Sequence, residues 1–145
     1  MTRDETLVCV RCGAINRVPG GRDAMAARCG KCGKPLFGGL PADIDAKMFE
    51  RQLAKSTMPM VVDVWAPWCG PCRTMAPEFE KAARTLEPAV RFVKLNSDAN
   101  QSLSARLAIR GIPTMIVFRA GLEIARQSGA MSAGQIVSWL NAQLR

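Results

Sequence analysis

The sequence contains no histidine and no tyrosine. Without imidazole, proton transfer near neutral pH falls to perturbed carboxylates or thiols, and a metal has to be held by sulfur or carboxylate oxygen. No apolar run approaches the roughly 20 residues needed to cross a bilayer. The opening residues, Met1-Thr2-Arg3-Asp4-Glu5-Thr6, are charged and lead into no apolar segment of a secretory type. These absences set the expectation of a cytoplasmic chain with no membrane partner.

What is present is cysteine. All six fall in Cys-x-x-Cys pairs, Cys9/Cys12, Cys29/Cys32 and Cys69/Cys72. In a reducing compartment such clusters bind metal or carry out redox chemistry more often than they form structural disulfides. The net charge is +8, and residues 1–40 hold seven Lys/Arg against three Asp/Glu. A basic segment can attract acidic partners. No basic run interleaved with aromatics follows, so solvated charge is favoured over nucleic-acid binding.

Residues 1–37 are rich in Cys, Gly and Arg, with apolar content clustered only at Leu7-Val8 and Leu36-Phe37. Such a segment buries no core of its own, and at this size folding usually needs a metal or disulfides. Gly and Pro punctuate residues 38–41, which read as a linker, and residues 42–145 read as the main domain. There a βαβ rhythm begins. The spacing predicts a helix from Asp43 or Asp45 to about Lys55, a buried strand over 60–65, and a helix over about 69–86 that Pro77 should kink. A strand over 90–95, a helix over about 102–109, and strands over 114–118 and about 122–127 follow, the last two joined at Ala120-Gly121. Ser132 and Gln135 form a capping-box signature opening a final helix. A weak strand is expected near 40–42. The class is α/β, a central mixed sheet flanked by helices behind a small N-terminal module.

Trp68-Cys69-Gly70-Pro71-Cys72 sits where a strand hands over to a helix. At that position Cys69 meets the partial positive charge of free N–H groups, which favours a thiolate. One turn on, Cys72 is within bonding reach, so Cys69 can attack a disulfide and Cys72 can resolve the product. Residues 73–145 hold no further cysteine, which disfavours a metal reading of this pair. Asp63 lies mid-strand on the face of Val61 and Trp65, where burial would raise its pKa and suit it to proton transfer; the less favoured alternative is a strand-end carboxylate wetted by water. Lys94 is a candidate partner on the adjacent strand, or simply exposed. Pro113 can be cis or trans.

Cys9-x2-Cys12-Gly13 and Cys29-x2-Cys32-Gly33, with sixteen residues between Cys12 and Cys29, have zinc-ribbon spacing. Four thiolates leave no open position, so the ion should be structural. A rubredoxin-like iron site uses the same turns.

Val62-Asp63-Val64-Trp65-Ala66-Pro67-Trp68-Cys69-Gly70-Pro71-Cys72, then Gly111-Ile112-Pro113-Thr114 and Ser128-Gly129-Ala130, resemble the motifs of the thioredoxin family in order and separation over residues 42–145. With the four-cysteine zinc motif ahead of it, the whole chain resembles the bacterial thioredoxin 2 type. The resemblance implies a thioredoxin fold, Cys69 as attacking thiol, Cys72 as resolving thiol, Asp63 as buried acid–base group and a cis Pro113. It places Trp65 and Trp68 around the site. It also implies a docking surface from Trp68, Gly70, Pro71, the backbone near Ile112, and Gly129 with Ala130. The partners it implies are disulfide-containing proteins and an NADPH-dependent thioredoxin reductase, with no organic cofactor bound. The rival readings are a zinc-dependent binding or redox-sensing module on a thioredoxin scaffold, and an oxidase or isomerase, which the Gly70-Pro71 dipeptide disfavours.

Overall fold

In the computed structural model, which describes residues 3–145, two antiparallel strands open the chain, β1 (Glu5–Val8) and β2 (Ile15–Val18). A 3-10 turn at Ala24–Ala26 follows, capped by the Asp23 side chain. The sequence pattern did not announce this hairpin, because four-residue strands carry too little alternation. Leu7, Val18, Ala24, Leu36 and Phe37 are nonetheless buried together with Cys9 and Cys29. Met58, from the loop beyond the next helix, completes the cluster. The expectation that this segment buries no core of its own is thus corrected: the core exists, but the rest of the chain supplies part of it.

The main body is a five-stranded sheet in the order β3 (Ala42–Asp43), β5 (Arg91–Asn96), β4 (Met60–Trp65), β6 (Thr114–Arg119) and β7 (Leu122–Ser128). After β3 (Ala42–Asp43) comes α1 (Ala46–Lys55), whose start is fixed by the Asp45 side chain accepting the Met48 N–H at 2.8 Å. Strand β4 (Met60–Trp65) pairs parallel with β5 (Arg91–Asn96) and antiparallel with β6 (Thr114–Arg119). Between β4 and β5 lies α2 (Gly70–Leu86), which continues through Pro77 as one helix. Helix α3 (Gln101–Arg106) is shorter than the apolar pattern implied, because Ala108 turns to a positive φ of 55° and ends it. Strand β7 (Leu122–Ser128) and α4 (Ala133–Gln143) close the fold, α4 carrying the full Ser132–Gln135 capping box.

Alternation along β4 decides what each sheet face does. Val61 joins Met75 and Phe79 of α2 and Ile136 and Leu140 of α4 in one core. Met60, Val62 and Val64 join Phe49 of α1 and Leu103 of α3 in the other. Asp63 shares the parity of Val61, so its carboxyl enters the α2 side, where a hydrocarbon was the cheaper choice.

The two parts of the chain meet along α1. Gln52 donates to the Val8 carbonyl at 3.0 Å, and Ser56 and Thr57 accept the backbone N–H groups of Val8 and Thr6. Buried Arg91 donates to the Leu36 carbonyl at 2.8 Å, with its guanidinium 4.3 Å from the centre of the Phe37 ring. Glu87, buried beside it, accepts the Phe92 N–H, and burial pushes its pKa up to about 7.

Candidate active site and metal centre

Helix α2 begins on a cysteine. Cys69 is its N-cap in extended conformation, and its Sγ accepts the Cys72 N–H at 3.2 Å. Pro71 sits in the first turn, where a missing N–H costs nothing. No acidic side chain occupies that turn to offset the helix's positive end. The Cα atoms of Cys69 and Cys72 are 5.3 Å apart and their sulfurs are bonded. Both side chains are buried, packing with Ala66, Trp65 and Ile112.

A cleft of about 620 Å³ opens beside Cys69. Trp68, Gly70 and Pro71 form one wall, Gly111 and Ile112 another, and Gln101 and Ser104 of α3 a third. Trp68 is 67% exposed, with its indole N–H donating to Asp98 at 2.9 Å. The Ile112–Pro113 peptide is cis, and the Ile112 carbonyl oxygen lies 3.8 Å from Cys69 Sγ. Gly129, at a φ of 99°, donates its N–H to the Pro113 carbonyl at 2.9 Å. Gly129 and Ala130 thereby stand beside Pro113 but outside the cleft. Asp98, Gln101, Ser104, Ile109 and Arg110 line the cleft without having been singled out from sequence. They come from the loop after β5 and from the α3 region, and only folding brings them to the cysteines.

Asp63 is fully buried and neither carboxylate oxygen has a hydrogen-bond partner among the described residues. Burial pushes its pKa up to about 7, Lys94 pulling it down somewhat and Asp43 pushing it up. The exposed strand-end alternative is therefore corrected. So is the direct pairing with Lys94: although Asp63 and Lys94 are register partners, the Lys94 ammonium is turned over the Trp65 ring, 4.6 Å from its centre.

The N-terminal knuckles repeat one another. Cys9 and Cys29 each accept, through the backbone carbonyl, the N–H of the glycine four residues on, Gly13 and Gly33, at 2.9 Å. Both glycines hold φ near 75–78°, a region that penalises a side chain. The four sulfurs of Cys9, Cys12, Cys29 and Cys32 lie within 4.8 Å of one another. Cys9 and Cys32 are 3.8 Å apart, and Cys12 and Cys29 3.6 Å. A tetrahedron with metal–sulfur bonds of about 2.3 Å has edges of about 3.8 Å, so the donor set fits a tetrathiolate ion. Hydrogen bonds, led by that from the Cys32 N–H and joined by the Asn16 amide and the Lys31 N–H, bring the Cys29 thiol down to about 6. Ligation needs the thiolate, so these donors favour it.

Comparison with known proteins finds a family for each part of the chain. The family described as Thioredoxin matches residues 41–142. The chain belongs to the thioredoxin family. The family described as Thioredoxin 2, N-terminal, matches residues 8–34, so the cysteine-rich segment resembling a zinc ribbon has its counterpart there as well. Thioredoxin C-3 of Corynebacterium nephridii is 39% identical over 139 residues, 96% of this chain and 95% of that protein. A thioredoxin of Acidithiobacillus ferridurans is 43% identical over 96 residues, 66% of this chain and 89% of its own. The crystal structure of chloroplastic thioredoxin z superposes with a TM-score of 0.66 at 32% identity, covering 72% of this chain and 94% of that one. The thioredoxin domain with its bonded cysteine pair has the constitution of a thiol–disulfide oxidoreductase. No helix among the described residues is long and apolar enough to cross a membrane.

Proposed function

We propose that the chain is a general protein-disulfide reductase, with residues 42–145 as the catalytic domain, 1–37 as a zinc module and 38–41 as the linker. The Cys69 sulfur at the start of α2, with the Cys72 N–H directed at it, carries this reading. The Cys69 thiolate attacks one sulfur of a substrate disulfide, forming a mixed disulfide and releasing the other as a thiolate. Cys72, deprotonated with Asp63 as the acceptor, then attacks Cys69 Sγ. The second substrate thiolate leaves, and the Cys69–Cys72 disulfide holds the two electrons' worth of oxidation. An NADPH-dependent thioredoxin reductase returns the dithiol. Trp68, Gly70, Pro71 and Ile112 hold the substrate strand, with Gly129 and Ala130 flanking Pro113; Lys94 acts on Asp63 through its charge alone. The place of action is the cytoplasm, in redox homeostasis and the oxidative-stress response.

The test is NADPH-coupled reduction of a disulfide protein with thioredoxin reductase. Turnover with the full chain, and none when the reductase is omitted, is expected; no turnover with any disulfide protein would refute the reading. Residues 40–145 retaining most of this activity would support reduction over the rival in which the ribbon recruits partners to a scaffold.

For the metal we assign zinc, bound by Cys9, Cys12, Cys29 and Cys32. An ion of this kind supplies folding energy rather than catalysis, as a closed site has no coordination position for substrate. Metal analysis of the purified chain is expected to give about one zinc per chain; iron with rubredoxin-like absorption would overturn the assignment. Chelation under reducing conditions should abolish amide-exchange protection at Cys9, Gly13, Cys29 and Gly33 while the β4–β6 core keeps its own. Unchanged protection at the knuckles would remove the structural role.

A further inference from the structure

The metal module and α1 enclose a second concavity, of about 430 Å³, in which Arg11, Lys31, Lys47 and Arg51 gather. All four are exposed, and none is within ion-pair distance of a carboxylate among the described residues. The one carboxylate on its lining, Asp45, is engaged in capping α1. The Asp45 carboxylate offsets the positive end of α1, so the charge of the hollow is that of its four cationic side chains. Four cations against one carboxylate leave the hollow with a net positive charge, which an arriving anion offsets.

The position of this concavity matters as much as its charge. The α1 N-terminus is tied to the α3 N-terminus, the Ala46 N–H donating to the Asn100 side chain at 2.9 Å. The next residue, Gln101, lines the cleft beside Cys69. Both hollows therefore reach the end of the sheet at which α1 and α3 begin.

We propose that this concavity is a docking surface for an acidic segment of the protein whose disulfide occupies the cleft, making disulfide substrates with a nearby run of Asp/Glu the favoured class. The inference rests on the reductase reading above. A compact cationic hollow suits an extended acidic peptide better than a nucleic acid, since no exposed aromatic side chain lines it for bases to stack upon. Its contribution falls on encounter and KM and leaves the exchange step unchanged.

The test uses three disulfide peptides of identical core, extended by an acidic, a neutral or a basic tail, reduced by the full metal-loaded chain at low and high salt. At low ionic strength the acidic-tailed peptide should show kcat/KM about tenfold above the neutral one, carried by KM, and 0.5 M salt should erase most of the difference. Lys47→Glu should cut the preference at least threefold and leave the neutral peptide unchanged. Lys55→Glu, the same reversal at the far end of α1, should preserve it. Equal rates for all tails, or a preference indifferent to Lys47→Glu, would overturn the proposal. So would a single-stranded oligonucleotide that binds more tightly than the acidic peptide and loses affinity in Lys47→Glu. Failure to reduce even the neutral peptide would count against the reductase reading itself.

Discussion

Asp63→Asn is expected to make the protein more stable above neutral pH while slowing turnover. The sign follows from proton linkage. Burial raises the pKa of Asp63 in the folded state to about 7, whereas the unfolded chain releases that proton near the ordinary carboxylate value. Between the two values the native state binds one more proton than the unfolded state, so stability falls as pH rises through this window. About three pH units at ~1.36 kcal/mol each give a cost of about 4 kcal/mol, fully present above pH ~7 and absent below pH ~4. Asparagine keeps the shape and never ionises. The difference between variant and parent should therefore grow from near zero at pH 4 to about 4 kcal/mol at pH 8, on the order of 10 °C in Tm. Glu87 also has a raised pKa and shares the seam with Arg91, so the parent's own pH slope has a second contributor that the paired comparison cancels. Parallel urea titrations across this range supply the check. Resolution of the mixed disulfide should lose its inflection near pH 7 in the variant. Equal stability at pH 4 and pH 8 relative to the parent would show that the carboxyl is hydrated or paired in solution.

That a carboxylate so costly sits mid-strand was legible from alternation alone, because Asp63 follows Val61 on the buried parity. The elements of residues 42–145 were legible for similar reasons: long apolar stripes on α2 and α4, apolar residues on both parities of β4, and side-chain caps at Asp45 and Ser132. The errors have local causes. The expected helix over 102–109 was cut short by a positive φ at Ala108, a turn with no glycine to announce it. The β1–β2 hairpin escaped notice because its stability comes from contacts with α1 and Met58, which no local pattern records. Within the site, the cysteines were legible because chemistry demands their spacing. Asp98, Arg110 and the α3 wall were not, since they reach the cleft only through the β5–α3 crossover. The Lys94 ammonium, which sequence offered to Asp63, goes instead to the Trp65 face, where the aromatic ring is its partner.

Cys69→Ser is expected to reduce disulfide-exchange turnover to background, while Cys72→Ser should preserve the first chemical step and stop the second. A serine hydroxyl at the α2 N-cap can still accept the Cys72 N–H, so helix and fold should persist. What it lacks is an ionisable sulfur, and the attacking species in exchange is the thiolate. Cys72 remains in that variant but does not line the cleft as Cys69 does, and its own N–H points toward residue 69. With Cys72→Ser the roles separate: Cys69 still attacks, one substrate thiol leaves, and nothing is placed to release the other.

The trapping reaction is the most direct measurement. The reduced, metal-loaded Cys72→Ser chain is incubated with a protein disulfide, the products are quenched in acid, and the cross-linked peptide is identified by mass spectrometry. A stable mixed disulfide at Cys69, formed faster than by a free thiol at pH 7 and absent from Cys69→Ser, is the outcome required by a thiolate held at the start of α2. Cross-links at Cys12 or Cys32 instead, or a Cys69 no more reactive than free cysteine, would contradict it.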